Sequence, residues 1–448
     1  MSLVRVASAF SQQSDELAIG SAGTIPKWLY ALQLVVISFV IMAPAFSLQN
    51  ARQAGGDEAG KLSLLDKLET PNRIRQLAYT VSVLSFGISG AYFFLNHAAS
   101  RVASPLLFAL MLASYAVVVT SLVWSDSRSE SFRSVVTVAL VGFGAIGLGT
   151  IWKARDFVVM VLALSAFMLV IGVLAELRVG TFLGGESYRF SGLLHPNKQA
   201  SSLAMFVVAA VVVWIAERRK LLLLAAIAAL GMLVLTGSRG GLLTCFAGLG
   251  VVVWLRLSGA ARLRFCLTAM FGLGLLITLF AVTPSLNEAV MEVARLGRQE
   301  AGADPTKLTG RLPIWADVIS YIEDRPVLGY GYSGFWTTER IYRMSFIHKW
   351  EFSNAHSSYF DTLLSVGVVG FTLGFLTLLM AIARGWRWYG HSSDIGVNFT
   401  VAVIVMGLVN SLTESIFYGA GYEPLCVMVA VSLIVFHPLT KTGEDENE

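Results

Sequence analysis

The run Asn354-Ala355-His356-Ser357-Ser358-Tyr359 sets an imidazole at the mouth of an apolar stretch that holds Gly367 and Gly370. A neutral imidazole accepts a proton near pH 7, which is what a general base needs. Ser353 or Asn354 capping the helix that follows places His356 in or near its first turn. The positive end of the helix dipole disfavours imidazolium there, and nearby arginines push the same way. On a continuous helix of ~100° per residue, Gly367 lies about 20° and Gly370 about 40° around from His356, and ~16–21 Å deeper. All three then share one face. That face reads either as close helix packing through small residues or as a groove for a lipid chain beneath the histidine.

Three arginines occur in glycine-bounded turns. Arg189 lies in Tyr188-Arg189-Phe190-Ser191-Gly192-Leu193, followed by His195-Pro196-Asn197-Lys198. Arg239 lies in Thr236-Gly237-Ser238-Arg239-Gly240-Gly241, and Arg311 follows Thr309-Gly310. Guanidinium forks bind phosphate oxygens bidentately and keep their charge. Glycine lets backbone N–H groups approach the same ligand. An anion with several oxygens suits such a set; snorkelling to headgroups or pairing with carboxylates is the competing use. Ser238, His195, Asn197 and Ser357 join as candidate substrate contacts, although His195 also reads as a structural turn residue.

The elements that carry these groups are membrane helices. Hydrophobic residues make up 55% of the 448 and charged residues 14%, against roughly 25% charged in a soluble protein; mean hydropathy is +0.68. Apolar stretches of about 20 residues recur, each able to cross a bilayer core of ~30 Å. They fall near 28–48, 76–95, 104–124, 134–152, 156–176, 200–216, 221–236, 240–257, 263–283, 359–383, 395–413 and 419–437. The chain therefore reads as an all-α polytopic membrane protein of about 12 transmembrane helices. The short pair 221–236 and 240–257 reads as a tight hairpin or a partly re-entrant segment.

The expected organisation is a cytoplasmic N-terminal segment at 1–27, nine spans over 28–283, a large outer loop at 284–358, three spans over 359–437 and a cytoplasmic tail at 438–448. Residues 1–27 carry no short apolar signal-peptide core, so the first helix is expected to stay in place. Arg218, Arg219, Lys220, Arg256, Arg262, Arg264, Arg384 and Arg387 then stand on the cytoplasmic side, as the positive-inside rule asks. The 49–75 loop opposes that bias with Arg52, Lys61, Lys67, Arg73 and Arg75 on the outside. Within the outer loop, 286–299, 311–323 and 337–349 show helical spacing of apolar residues, as in Leu312, Trp315, Val318, Ile319 and Ile322. The loop reads as a helical cap.

Other chemistries lack their residues. A net charge of +4 with no basic arm does not point to nucleic acid. Cys245, Cys266 and Cys426 lie scattered in apolar runs, which argues against a disulfide framework and a metal site. No D-x-D and no clustered His, Asp and Glu on the outer side implies a metal, and no nucleotide fingerprint implies a pump. Asp361, Asp394 and Glu414 fall at or near span ends, whereas a transporter's charged relay runs deeper.

At these residues the chain resembles the O-antigen ligase family of bacterial envelope glycosyltransferases. The family pattern of His, then Asn/Ser/Gln, nine residues, Gly, two residues and Gly is met by His356, Ser357, Gly367 and Gly370. The family's Arg-x-x-x-Leu pattern is met by Arg189 and Leu193. Ser238-Arg239-Gly240, Gly310-Arg311 with Trp315, and Leu328-Gly329-Tyr330-Gly331 resemble the wider ligase and polymerase superfamily. The resemblance implies a GT-C-like fold with a periplasmic cap, in the bacterial inner membrane. It implies transfer of a glycan from undecaprenyl pyrophosphate to lipid A–core oligosaccharide, without metal or cofactor. His356 is then the base, Arg189 and Arg239 stabilise the reaction, and Arg311 contacts substrate. An O-antigen polymerase and a protein O-oligosaccharyltransferase resemble the same motifs; a transporter of lipid-linked sugars needs no base. Asp317, Glu323 and Glu339 remain open as carboxylates that could orient the histidine.

Overall fold

A computed structural model describes residues 73–97, 102–184, 188–268, 271, 311–348, 352–416 and 421–438. Among the described residues every regular element is a helix. They are α1 (Arg73–His97), α2 (Pro105–Thr120, extended by a 3₁₀ turn to Val123), α3 (Arg128–Ile151), α4 (Ala154–Val179), α5 (Pro196–Glu217), α6 (Lys220–Leu235), α7 (Arg239–Arg256), α8 (Arg311–Asp324), α9 (Thr338–His348), α10 (Ser358–Ser392), α11 (Ile395–Asn410) and α12 (Tyr422–Phe436). Residues 259–268 are also helical. The expected span at 28–48, most of that at 263–283 and the expected helix at 286–299 lie outside the described residues.

Six described helices are long and apolar enough to cross a membrane: α2, α3, α4, α5, α7 and α10. Three more, α6, α11 and α12, are apolar but only 16, 16 and 15 residues long. At 1.5 Å per residue these reach roughly 24 Å, short of a ~30 Å core. Large apolar side chains such as Leu77, Ile88, Leu95, Leu106 and Leu221 stand exposed on the outer helix faces, the surface a lipid solvent selects.

Packing inside the bundle explains the order. α11 and α12 are the central helices: Phe399, Ala402 and Val403 of α11 are fully buried in contact with α4, α5 and α7, and Cys426, Ala430 and Leu433 of α12, which packs chiefly on α3, are fully buried too. α1 crosses α3 where Gly90 faces Gly144 and Gly147, so close that a Cβ on Gly147 would stand 2.4 Å from the Gly90 Cα. Small residues set such crossings when lipid supplies no hydrophobic drive. α6 packs on α5, and α7 on α11 and α5. The pair expected as a tight hairpin or a partly re-entrant segment diverges after its turn, because each helix packs chiefly on an apolar face elsewhere.

Residues 311–348 and 352–355, with Leu364 of α10, contribute a second, smaller hydrophobic cluster. Ile314, Val318, Tyr330, Phe335, Met344, Phe352 and Leu364 are buried together. α8 buries part of the apolar set expected, Val318 and Ile322, together with Ile314. Ile314 and Val318 point inward, while Leu312 and Ile319 stand 47% and 44% exposed. The aromatic cluster of Tyr330, Phe335 and Trp336 lies on the 314–318–321–322 side of the helix and decides which stripe is covered.

Two of the places that fasten this unit to the bundle bear on its position. Asp126, in the turn after α2, takes salt bridges of 2.7 Å from both Arg325 and Arg340. Partial burial opposes ionisation of Asp126, but the hydrogen bonds from Arg340 and Arg325 win and hold its carboxyl below the usual range. At the second place the loop before Tyr330 enters α10. Gly367 sits inside α10 with φ +61 and ψ −167, a combination essentially confined to glycine. The helix opens there. Val368 N–H donates to the Pro326 carbonyl at 2.8 Å, and Tyr330 N–H to the Leu364 carbonyl at 2.7 Å.

Candidate active site

Many helix ends converge at one end of the bundle: those of α4, α6 and α11 and the starts of α5, α7, α10 and α12. The short helices leave room there for loops, and the candidate residues stand on those loops.

The arginine side is built first by a buried carboxylate. Glu176, in the last turn of α4, is 2% exposed. Its Oε1 accepts the N–H groups of Ser191 at 2.8 Å and Gly192 at 2.7 Å, and the Ser191 hydroxyl at 3.2 Å. Its Oε2 accepts the Tyr188 hydroxyl at 2.6 Å. A buried charge needs such donors, and here the donors are the segment that presents Arg189. Arg189 Nε then donates to the Thr236 carbonyl at 2.8 Å and Nη2 to Asn197 Oδ1 at 3.1 Å. The side chain passes over Gly237, where a Cβ would lie 3.1 Å from Nε.

Asn197 carries the connection onward. Its Nδ2 donates to Glu414 Oε1 at 2.7 Å. The amide orientation follows from its partners, since arginine only donates and carboxylate only accepts. Glu414 Oε1 also takes Arg311 Nη2 at 3.2 Å, and Arg311 Nη1 donates to the Thr413 carbonyl. Arg189, Asn197, Glu414 and Arg311 thus form one hydrogen-bonded chain. Arg239 opens α7 within the same turn system: a Cβ on the adjacent Gly240 would stand 2.6 Å from Thr413 Oγ1. Ser238 caps that helix, its Oγ accepting Gly241 N–H at 3.2 Å. His195 caps α5, its Nδ1 accepting Asn197 N–H at 3.3 Å.

His356 lies against this chain. α10 begins at Ser358 with Ser357, rather than Ser353 or Asn354, at the cap position, so His356 lies near the first turn but just outside it. Its backbone is left-handed, φ +50, and its N–H donates to Asn354 Oδ1 at 2.9 Å. The side chain is half-buried. Burial first, and the Arg311 charge second, push its pKa down to about 4; Glu414 opposes, while His195 and Lys198 reinforce. The imidazole is therefore neutral at pH 7. Desolvation rather than the helix dipole is the main cause.

The two glycines separate. The break at Gly367 removes the continuous face they were expected to share with His356. A Cβ on Gly367 would stand 2.2 Å from the Val327 carbonyl oxygen, so the residue admits the incoming loop. Gly370 instead lines an apolar cavity of about 200 Å³ with Tyr115, Tyr359, Thr362, Phe371 and Met428. Ser357 donates its hydroxyl to the Ser411 carbonyl at 3.3 Å and ties α10 to the end of α11.

Several groups here escape a reading of sequence. Glu414 stands at the centre of the network. Its signal is the polar run Asn410-Ser411-Leu412-Thr413-Glu414-Ser415 between two apolar stretches. Glu176 and Glu423 are carboxylates within apolar helices, the pattern that marks intramembrane function. Glu423 is held by Asn410 Nδ2 at 2.7 and 2.9 Å. Of the carboxylates open for orienting His356, Asp317 pairs instead with His348 at 2.7 Å. Among the described residues no group of three His, Cys, Asp or Glu could hold a metal ion, and Cys245, Cys266 and Cys426 are free.

Residues 223–375 match the family described as O-antigen ligase. The matched stretch includes Ser238, Arg239, Arg311, His356, Ser357, Gly367 and Gly370, and leaves Arg189, His195, Asn197 and Glu414 outside. No curated protein matches the chain.

Proposed function

We propose, from the O-antigen ligase domain carried by residues 223–375, that this membrane protein transfers a glycan from undecaprenyl pyrophosphate to lipid A–core oligosaccharide. The reaction takes place on the periplasmic face of the inner membrane, beneath the 311–356 unit acting as a cap. The observation that supports this most is the single network joining Arg189, Asn197, Glu414 and Arg311 beside His356. In this reading His356 takes the proton from an acceptor hydroxyl. The freed oxygen attacks the anomeric carbon, the bond to pyrophosphate breaks, and the anomeric centre inverts. Arg189, Arg239 and Arg311 receive the charge that develops on the departing pyrophosphate. The apolar cavity beside Tyr359 and Gly370 suits the donor's hydrocarbon chain. No metal or cofactor takes part.

A histidine with pKa about 4 is a weak base. The bound donor changes that. Part of the depression comes from Arg311, and an anion on Arg311 offsets its field, so His356 gains basicity when the donor is in place.

The test combines purified full-length protein, undecaprenyl-pyrophosphate-linked glycan and lipid A–core. Ligation is expected, and His356→Ala should lower it by about 10²–10⁴-fold. Undiminished ligation by that variant would remove His356 as base. Chain growth on a second lipid-linked glycan alone would indicate a polymerase. Glycan on a protein acceptor would indicate a protein oligosaccharyltransferase, and donor translocation without transfer a transporter.

A further inference from the structure

We infer that Asp361 is a positioning residue for His356, one that fixes the histidine turn only when the 311–356 unit is seated on the bundle. The inference builds on the reading of His356 as base. Asp361 is fully buried in α10, five residues after the histidine. Its Oδ1 accepts the Ala355 N–H at 3.0 Å and the Trp336 indole N–H at 2.8 Å; its Oδ2 accepts the Ser415 hydroxyl. The Ala355 carbonyl in turn accepts the Trp315 indole N–H at 2.8 Å. The residue before His356 is thus held at both its N–H and its carbonyl. The same Ser415 hydroxyl lies 3.0 Å from Asn354 Oδ1, which receives the His356 N–H.

Two features separate this from ordinary helix capping. These three donors to Asp361 come from outside α10: Ala355 in the preceding turn, Trp336 in the loop before α9, and Ser415 between α11 and α12. In addition, the conformation they hold is unfavourable by itself. The left-handed backbone of His356 is disfavoured for an L-residue and persists where its surroundings over-determine it. Trp315 belongs to α8, whose first residue is Arg311. Seating α8 therefore brings Arg311 to Glu414 and locks Ala355 in one event. Asp361 converts that docking into a fixed imidazole.

The experiment uses the full-length protein with Asp361→Ala, Asp361→Asn, Trp336→Phe and Trp315→Phe. Each is assayed for ligation, with His356→Ala as reference, and for diethylpyrocarbonate labelling of His356 by mass spectrometry. Asp361→Ala is expected to lower kcat by about 10²-fold, the scale of a misplacement near 1 Å, with KM for donor and acceptor unchanged. Asp361→Asn keeps an acceptor oxygen and should recover the greater part of that loss. His356 labelling should rise several-fold in Asp361→Ala and stay near wild type in Asp361→Asn. If Asp361→Ala does not fold, the two tryptophan variants each remove one donor and should lower kcat by a smaller factor. Unchanged kcat and unchanged labelling across these variants would overturn the inference. If wild-type protein ligates nothing, the functional reading fails, and the labelling rates alone then decide whether Asp361 positions His356.

Discussion

Arg189 and His356 face one network but are held in opposite ways. Arg189 is presented by a segment folded around Glu176, a carboxylate only 12–16 residues away and fixed in a membrane helix. The turn before His356, at Asn354 and Ala355, is held by groups from α8, α10 and the α11–α12 connection, with the loop before α9 bonded to the same Asp361. The arginine half is therefore set by the bundle itself. The histidine half is complete only when a separate hydrophobic unit docks. Local contacts form at small cost in loop closure, whereas distant ones need the whole fold.

Breaking the docked half should have the largest effect. In Gly367→Ala the new Cβ would meet Val327 backbone at 2.2 Å, and the residue would sit where only glycine is comfortable. The loop at Pro326–Gly329 must then leave α10. We expect a loss of roughly 3 kcal/mol or more, with ligation falling in step and measured by thermal unfolding in detergent. An undisturbed melting temperature would show that the loop is not seated through Gly367.

Breaking the bundle-borne half comes next. Glu176→Ala leaves the Ser191 and Gly192 N–H groups buried without a partner, at about 1–3 kcal/mol each, so a destabilisation of about 2–5 kcal/mol is expected. Glu176→Gln retains an acceptor for both and should lose far less. Equal losses in the two variants would mean that Glu176 acts through its charge rather than through the segment that carries Arg189.

The same contrast explains what was legible in the sequence. Periodicity and apolar length located α1 to α7 and α10 to α12, because a helix in lipid must satisfy its own backbone and bury a stretch of fixed length. The amphipathic spacing of 311–323 and 337–349 located α8 and α9, but not which stripe of α8 is covered. That choice belongs to Tyr330, Phe335 and Trp336, which arrive from elsewhere in the chain. Arg189, Arg239 and Arg311 stood out as charge beside glycine in apolar surroundings. Glu176 did not, and Asp361 and Glu414 stood out only as carboxylates near span ends, since a carboxylate is informative only once its donors are known. Gly367 showed the limit most clearly. Its spacing from His356 suggested one helix face, and its backbone conformation, invisible in spacing, removes that face.

The smallest expected effect sharpens the link between the halves. Arg311 lies in the docked unit yet bonds to Glu414, which also holds Asn197 of the arginine half. Its charge is the second cause, after burial, of the low His356 pKa. The sign follows directly: a nearby cation disfavours imidazolium, so Arg311→Gln must move the His356 pKa upward from about 4 toward 6.5. Only neutral His356 accepts a proton, so wild-type kcat/KM should show its acid limb near pH 4 rather than near 6.5. In Arg311→Gln that limb should shift to higher pH, even as the plateau falls through weaker donor binding. Burial persists in the variant, so the shift should be partial. A limb that stays in place would mean that Arg311 and His356 do not share one electrostatic site, and would separate the two halves that Glu414 joins.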